Sequence, residues 1–293
     1  MSYIQFVILC SFRDFSVGQD TENYRVAYEN INKIGLKSFF LFGWEPGFVL
    51  INLLFAKLGF SFRILLSSIG IFSYYSVFRF INKYSPYPWL SILIYIGFGN
   101  FYVSLFVLRQ TLAIAVLLYG FKYIINRQFY QFCLIVILAT SFHLTAILFL
   151  ITYYLWSPQR ISLKKFLGIL CIAIPISVVL YKIGIVAVLS TLSMYTEYED
   201  RAVADQGYGM LIFKMGIVII GLLLPAKNLN SKGVLLYLLM GISAIFQLFT
   251  MSFSLLSRIS WYWNIAMIAY LPLLIRLTHN RNTERILKLM LMG

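Results

Sequence analysis

The sequence predicts an all-α polytopic membrane protein, and three observations predict it. Charged residues fill 12% of the 293 positions, about half the share found in soluble domains. Hydrophobic residues make up 61%, and the mean hydropathy is +0.84. Apolar runs recur at about 1–12, 62–80, 89–103, 106–121, 129–155, 166–181, 209–225, 233–250 and 260–275, which is the signature of repeated membrane segments.

The first run, MSYIQFVILCSF, stops at Arg13. It is shorter than the roughly 20 residues a span uses. It has no basic start and no small-residue cleavage site, so it reads as a short or clipped first span, not a signal peptide. Residues 22–42 alternate Tyr24, Tyr28, Ile31, Ile34 and Leu36 with charged and amide residues, the pattern of a helix lying in the interface. The run WEPGFVLINLLFAKLGF over 44–60 carries Glu45, Asn52 and Lys57. Read as a span it would invert every later loop, so it is assigned as a second interfacial helix. Residues 13–61 then form an extracytoplasmic loop.

The runs 62–80, 89–103 and 106–121 are predicted to cross. The stretch 129–155 is preceded by Lys122 and Arg127 and followed by Arg160, Lys164 and Lys165. Basic short loops lie in the cytoplasm, and a single span would place one of these clusters outside. A short hairpin turning at Ser141-Phe142-His143 keeps both inside, with His143 at its outer apex. The last four runs cross around an acidic extracytoplasmic loop at 182–208 and lead to a basic cytoplasmic tail at 276–293. The whole is one integral membrane domain of about ten membrane segments, with both termini cytoplasmic.

Charge supports that sidedness. The proposed inner loops and tail hold thirteen basic residues and one acid, and the outer side eleven basic residues and nine acids. The net charges of +12 and +2 together make the +14 of the chain, as the preference for cytoplasmic Lys and Arg requires. The same clustering argues against nucleic acid, since no soluble segment is long enough for a binding module. Cys10, Cys133 and Cys171 lie inside apolar runs and read as small buried hydrophobes. With only two histidines, His143 and His279, no metal-ligand cluster forms. No phosphate-binding loop, dinucleotide fingerprint or GxSxG is present. No metal or cofactor is expected, and any reaction must use an already activated substrate.

Polar residues in apolar surroundings are costly and mark function. On the predicted outer face these are Arg13, Asp20, Glu22, Glu45, Arg109, His143, Lys214 and Arg258. Arg109 sits in FYVSLFVLRQTLAIAVLLYG beside Gln110; its planar donor fork suits phosphate, against the alternative of a snorkelling arginine. His143, in ATSFHLTAILF, is either a structural hydrogen-bonder or a proton carrier near neutral pH. Arg258, in LLSRISWYWNIA, repeats the arginine pattern, with Tyr262 one turn later and an aromatic belt around it. Asp20, in SVGQDTENY, would position or deprotonate a hydroxyl, or cap the next helix. Glu45-Pro46-Gly47 reads first as a helix start, with Pro in the first turn. The loop Glu197-Tyr198-Glu199-Asp200 reads as a solvated surface.

The ordered series Arg13, Val17-Gly18-x-Asp20-Thr21, Tyr24, Glu45-Pro46-Gly47-Phe48, Leu108-Arg109-Gln110-x-Leu112-Ala113, Ala139-x-x-Phe142-His143-x-x-Ala146 and Arg258-Ile259 with Tyr262 and Leu271-Pro272 resembles the EpsG-like, Wzy-type polysaccharide polymerases, over residues 13–272. The resemblance implies joining of undecaprenyl-pyrophosphate-linked oligosaccharide repeat units into capsule, exopolysaccharide or O-antigen at the outer face of a bacterial cytoplasmic membrane. It implies a GT-C-like arrangement of outer-face juxtamembrane helices, and a flippase and a chain-length regulator as candidate partners.

On this reading Arg109 and Arg258 neutralise the departing diphosphate, and His143 or Asp20 handles the acceptor hydroxyl. Arg13, Gln110, Glu45, Tyr262 and Lys214 line the substrate. Two rivals stay open. A flippase or transporter would use the outer arginines for movement, and a membrane acyltransferase modifying glycans would place its His near the inner face.

Overall fold

The computed structural model describes residues 3–18, 20–41, 43–158, 163–182, 208–223, 229–250 and 256–277. Secondary structure among them is helical throughout. The chain divides into two compact units, one essentially Met1–Tyr154 and the other Leu155–Leu291. Between its end residues the predicted acidic loop lies outside the described residues, as do Arg160 and the tail beyond Leu277.

The first unit begins with α1 (Tyr3–Phe12), α2 (Thr21–Ile34) and α3 (Ser38–Leu41), followed by α4 (Pro46–Lys57) and α5 (Phe62–Tyr84). Then come α6 (Pro88–Gly97), α7 (Asn100–Phe106), α8 (Leu108–Leu117), α9 (Phe121–Ile125) and α10 (Phe129–Phe142). A 3-10 segment (Leu144–Phe149) runs into α11 (Leu150–Leu155). The second unit contains α12 (Leu163–Lys182), α13 (Tyr208–Leu223), α14 (Ser231–Thr250), α15 (Leu256–Asn264) and α16 (Met267–Leu277).

Among the described residues, three helices are long and apolar enough to cross a membrane: Phe62–Tyr84, Leu108–Ile125 and Ser231–Phe249. The predicted run 89–103 is a bent pair, Pro88–Gly97 and Asn100–Phe106, angled by 60°, and would count as a fourth. Its break falls at Gly99, whose φ of +74° is easy only for glycine. Other predicted segments are shorter helices, among them Tyr3–Phe12, Phe129–Phe142 and Met267–Leu277. Ten residues of helix cover about 15 Å, half a hydrocarbon core, so an apolar run in sequence does not by itself make a full crossing. Large apolar side chains on helix exteriors, such as Leu134, Ile137, Ile64 and Ile71, are exposed. Burying them in lipid is favourable, and leaving them in water is not. The protein is a membrane protein.

The first unit has two chemically distinct ends. α1 and α5 run antiparallel: Tyr3 packs its ring on Tyr75 and Phe78, while Cys10 lies against Gly70. At the C-terminal end of α5, Arg79 sits 4.6 Å over the Tyr119 ring, and Phe80 and Tyr84 pack on Phe121. Lys122 lies over Tyr123, and Arg127 reaches both the Tyr153 ring and its carbonyl oxygen, the latter at 3.0 Å. Arg79, Lys83, Lys122 and Arg127 therefore gather at one end. The 23 residues of α5 put the other end about 33 Å away.

The segment 129–155 doubles back. Phe132 stacks on Tyr153 with centroids 5.5 Å apart, so the start of α10 lies beside the end of the returning limb. The turn therefore falls between them, at His143, at the end away from the basic cluster. Helices α2 and α4 also pack at that end. In α2 the stripe Tyr24, Tyr28 and Ile31 is buried, spaced so that all three fall on one helix face. It shares a core with Phe48, Val49 and Leu53 of α4, Phe62, Leu65 and Leu66 of α5, and Leu108 and Leu112 of α8.

Candidate functional site

Three interruptions in the helices build the site. The first is the start of α4. Glu45 occupies its N-cap position with extended backbone (φ −64°, ψ 143°), and Pro46 fixes the first turn. The Glu45 carbonyl accepts the Val49 N–H at 3.1 Å, but the carboxylate makes no cap bond and turns away from its own helix.

The second is the break between α7 and α8. Val107 leaves helical geometry (ψ 63°), and a new helix starts at Leu108. Arg13, buried at 8% exposure, donates through Nη2 to the Leu105 carbonyl freed there. It also donates through Nη1 to the Cys10 carbonyl at 3.2 Å and the Cys10 sulfur at 3.0 Å. A Cβ on Gly18 would come within 2.6 Å of the Phe106 Cβ, so this glycine lets the loop after α1 close over the break.

The third is His143. Its extended backbone (φ −155°, ψ 117°) separates α10 from the 3-10 segment. Its own N–H still bonds to Ala139, but the next amide, Leu144, starts a new segment and lacks a helical acceptor.

Glu45 joins the other two. Its Oε2 accepts Arg109 Nη1 at 2.7 Å, and its Oε1 accepts the Leu144 N–H at 2.9 Å. The same Oε1 lies 3.0 Å from His143 Nδ1. Arg109 Nε points to the Tyr24 hydroxyl at a longer 3.4 Å. The side chains are 13% (Glu45), 18% (His143) and 23% (Arg109) exposed, sheltered but reachable. Burial alone would raise the Glu45 pKa. The His143 contact, the Arg109 charge and the Leu144 N–H outweigh it and hold the carboxyl at about 2, below its usual 4.5.

Gly47 permits the assembly. A Cβ there would lie 2.8 Å from the Ser141 carbonyl oxygen and closer still to Oγ, so only glycine lets the head of α4 reach the hairpin apex. Trp44, Tyr24 and Phe48 pack as a mutual aromatic group beside it, with centroids 5.3 to 5.5 Å apart.

The structure thus brings together Arg109, His143 and Glu45 of the predicted site residues. Glu45, which the sequence presents first as a helix start, is the centre of the assembly. Tyr24 is an addition: its stripe reads as the apolar side of an interfacial helix, and only a hydroxyl where phenylalanine would pack equally well could signal more. Asp20 precedes α2 and makes no side-chain cap bond, nor any bond to these three side chains. Gln110, 1% exposed, is packed into the bundle.

Two predicted substrate-binding residues have partners inside the protein. Arg13 is spent on the carbonyl at the α7–α8 break, because that break would otherwise leave a buried acceptor unsatisfied. In the second unit Lys214 is 1% exposed and its Nζ donates to Gln247 Oε1 at 2.9 Å, since a cation buried between α13 and α14 needs an acceptor. Arg258 and Tyr262 also belong to that unit; Arg258 is half-buried and Tyr262 fully buried on α15.

The EpsG family profile matches residues 1–292. No curated protein and no solved structure matches the chain. With a match over nearly its whole length, and with Arg109 and His143 of the resemblance meeting at the Glu45 carboxylate, this chain belongs to the EpsG family, the EpsG-like polysaccharide polymerases.

Proposed function

We propose that this protein joins lipid-diphosphate-linked oligosaccharide repeat units, carried on undecaprenyl pyrophosphate, at the outer face of a bacterial cytoplasmic membrane. One observation carries the reading. Arg109 and His143, from separate helices, share the Glu45 carboxylate at the end of the first unit opposite Arg79, Lys83, Lys122 and Arg127. Clustered basic residues favour the cytoplasm, which supports reading Arg109 and His143 as extracytoplasmic, in the topology proposed with both termini inside.

The chemistry follows from the residue types. The acceptor glycan's hydroxyl oxygen bonds to the donor's anomeric carbon, and the bond from that carbon to the diphosphate oxygen breaks. Negative charge then grows on the departing lipid diphosphate. Arg109 keeps Nη2 without a partner among the described residues, and a partly desolvated guanidinium stabilises such charge far better than one in water. His143 lies on the other side of Glu45, where it can take the hydroxyl proton.

The test is an allelic replacement with Arg109→Ala, reading lipid-linked intermediates and surface polymer. The expected result is single repeat units accumulating on the outer leaflet and no polymer. Units trapped on the cytoplasmic leaflet would instead assign transport, and unchanged polymer would remove Arg109 from the mechanism.

A further inference from the structure

Glu45 receives donors from two other elements in a way that decides where His143 carries its proton. The Arg109 guanidinium and the Leu144 amide are donors only, and they take Oε2 and Oε1 respectively. The remaining contact, Oε1 to His143 Nδ1 at 3.0 Å, needs one proton between the two atoms. Glu45 is ionised at neutral pH and has none to give. The proton therefore sits on Nδ1, and in a neutral ring the lone pair is then on Nε2. Nε2 has no hydrogen-bond partner among the described residues.

We infer that Glu45 is a positioning residue that locks His143 as its Nδ1–H tautomer and so makes Nε2 the atom that accepts the acceptor sugar's proton. This rests on the polymerase reading above. In the step, Nε2 takes the hydroxyl proton as the oxygen bonds to the anomeric carbon, and the electron pair of the breaking bond leaves with the lipid diphosphate. The imidazolium so formed lies against the Glu45 carboxylate, which stabilises it, and later releases its proton to water.

The surroundings fit this division of labour. The charged and titratable groups facing the pair are Arg109 on α8 and, behind it, Tyr24 on α2. The only other charge on α4 is Lys57, at its far end. Arg109 occupies Oε2 and leaves Oε1 to the ring and the Leu144 amide, so one carboxylate holds the cation for the leaving group and the base for the nucleophile at a fixed spacing. Free imidazole side chains in water favour the opposite, Nε2–H tautomer, so the lock has a measurable consequence.

The experiment is nitrogen-15 NMR on the full chain in lipid nanodiscs, with labelled histidine and at a pH where the ring is neutral. The chain has two histidines, and His279→Gln leaves the signal of His143 alone. The expected result is an Nδ1–H pattern that Glu45→Gln converts largely to Nε2–H. An Nε2–H pattern with Glu45 intact overturns the inference without any variant at the site. An Nδ1–H pattern unchanged by Glu45→Gln overturns it too. In vesicles supplied with lipid-diphosphate-linked repeat units, Glu45→Gln is expected to lower kcat about 100-fold with KM little changed. A loss carried by KM alone would mean a merely structural tether. If the unaltered protein forms no polymer there, the functional reading falls, while the NMR result still decides the tautomer.

Discussion

The backbone of Gly47 passes against Ser141 with no space for a side chain between them. That approach sets Glu45 within reach of the hairpin apex, since Glu45 lies two residues before Gly47 and His143 two residues after Ser141. A glycine at the head of one helix thus determines whether a carboxylate and an imidazole on different elements meet.

Gly47→Ala should therefore separate them. The obstructing atoms include the Ser141 carbonyl oxygen, which is backbone and cannot rotate away, so Ser141→Ala should not restore the fit. We expect a loss of about 1–3 kcal/mol, as for other overpacking changes. Polymer formation should fall even where membrane insertion is normal. Thermal unfolding in detergent and polymer length in cells check the two effects.

Arg109→Lys should leave the protein folded and inserted but cut polymerisation about 100-fold or more. An ammonium keeps the charge and still meets Glu45, but it lacks a fork that can hold the carboxylate and a diphosphate together. Initial rates with purified lipid-linked substrate measure this. A lysine variant with normal rates would show that charge alone suffices.

Arg13 should behave in the opposite manner. Its guanidinium serves the Leu105 carbonyl and the Cys10 carbonyl and sulfur, so Arg13→Ala leaves a buried acceptor without its donor. The expected cost is about 1–3 kcal/mol of stability. At a temperature where the variant stays folded, its residual activity should exceed that of Arg109→Lys. Unfolding midpoints alongside rates on folded protein separate the two arginines.

The Glu45 carboxyl, held at about 2 against a usual 4.5, gives a pH dependence of defined sign. A depressed folded-state pKa adds stability above the unfolded value, and that stability drains away as pH falls through the folded value. The stability difference between the unaltered protein and Glu45→Gln should be constant above pH 4.5 and shrink between 4.5 and 2. Unfolding midpoints measured across that range test it, and a difference that grows on acidification would contradict the ion-pair assignment.

How much of this was legible in the sequence follows from the kind of force involved. Membrane class, basic clustering and the helical stripe Tyr24, Tyr28, Ile31 depend on composition and period, so they can be read residue by residue. Arg109 and His143 stood out because a polar group among apolar neighbours is costly wherever it lies. Glu45 was marked on the same ground and as a substrate-lining residue, but its central place was not, because Glu-Pro-Gly has a sufficient local explanation as a helix start, and that start is indeed where it sits.

The tertiary structure alone decided that the Glu45 carboxylate leaves its own helix for partners 64 and 98 positions away. It also decided that Arg13 and Lys214, polar residues of the same kind as Arg109, are consumed by a carbonyl and an amide inside their own units. The physical reason is that desolvation cost is a property of one residue, while its relief is a property of pairs. A sequence displays the first, and only the packed chain supplies the second.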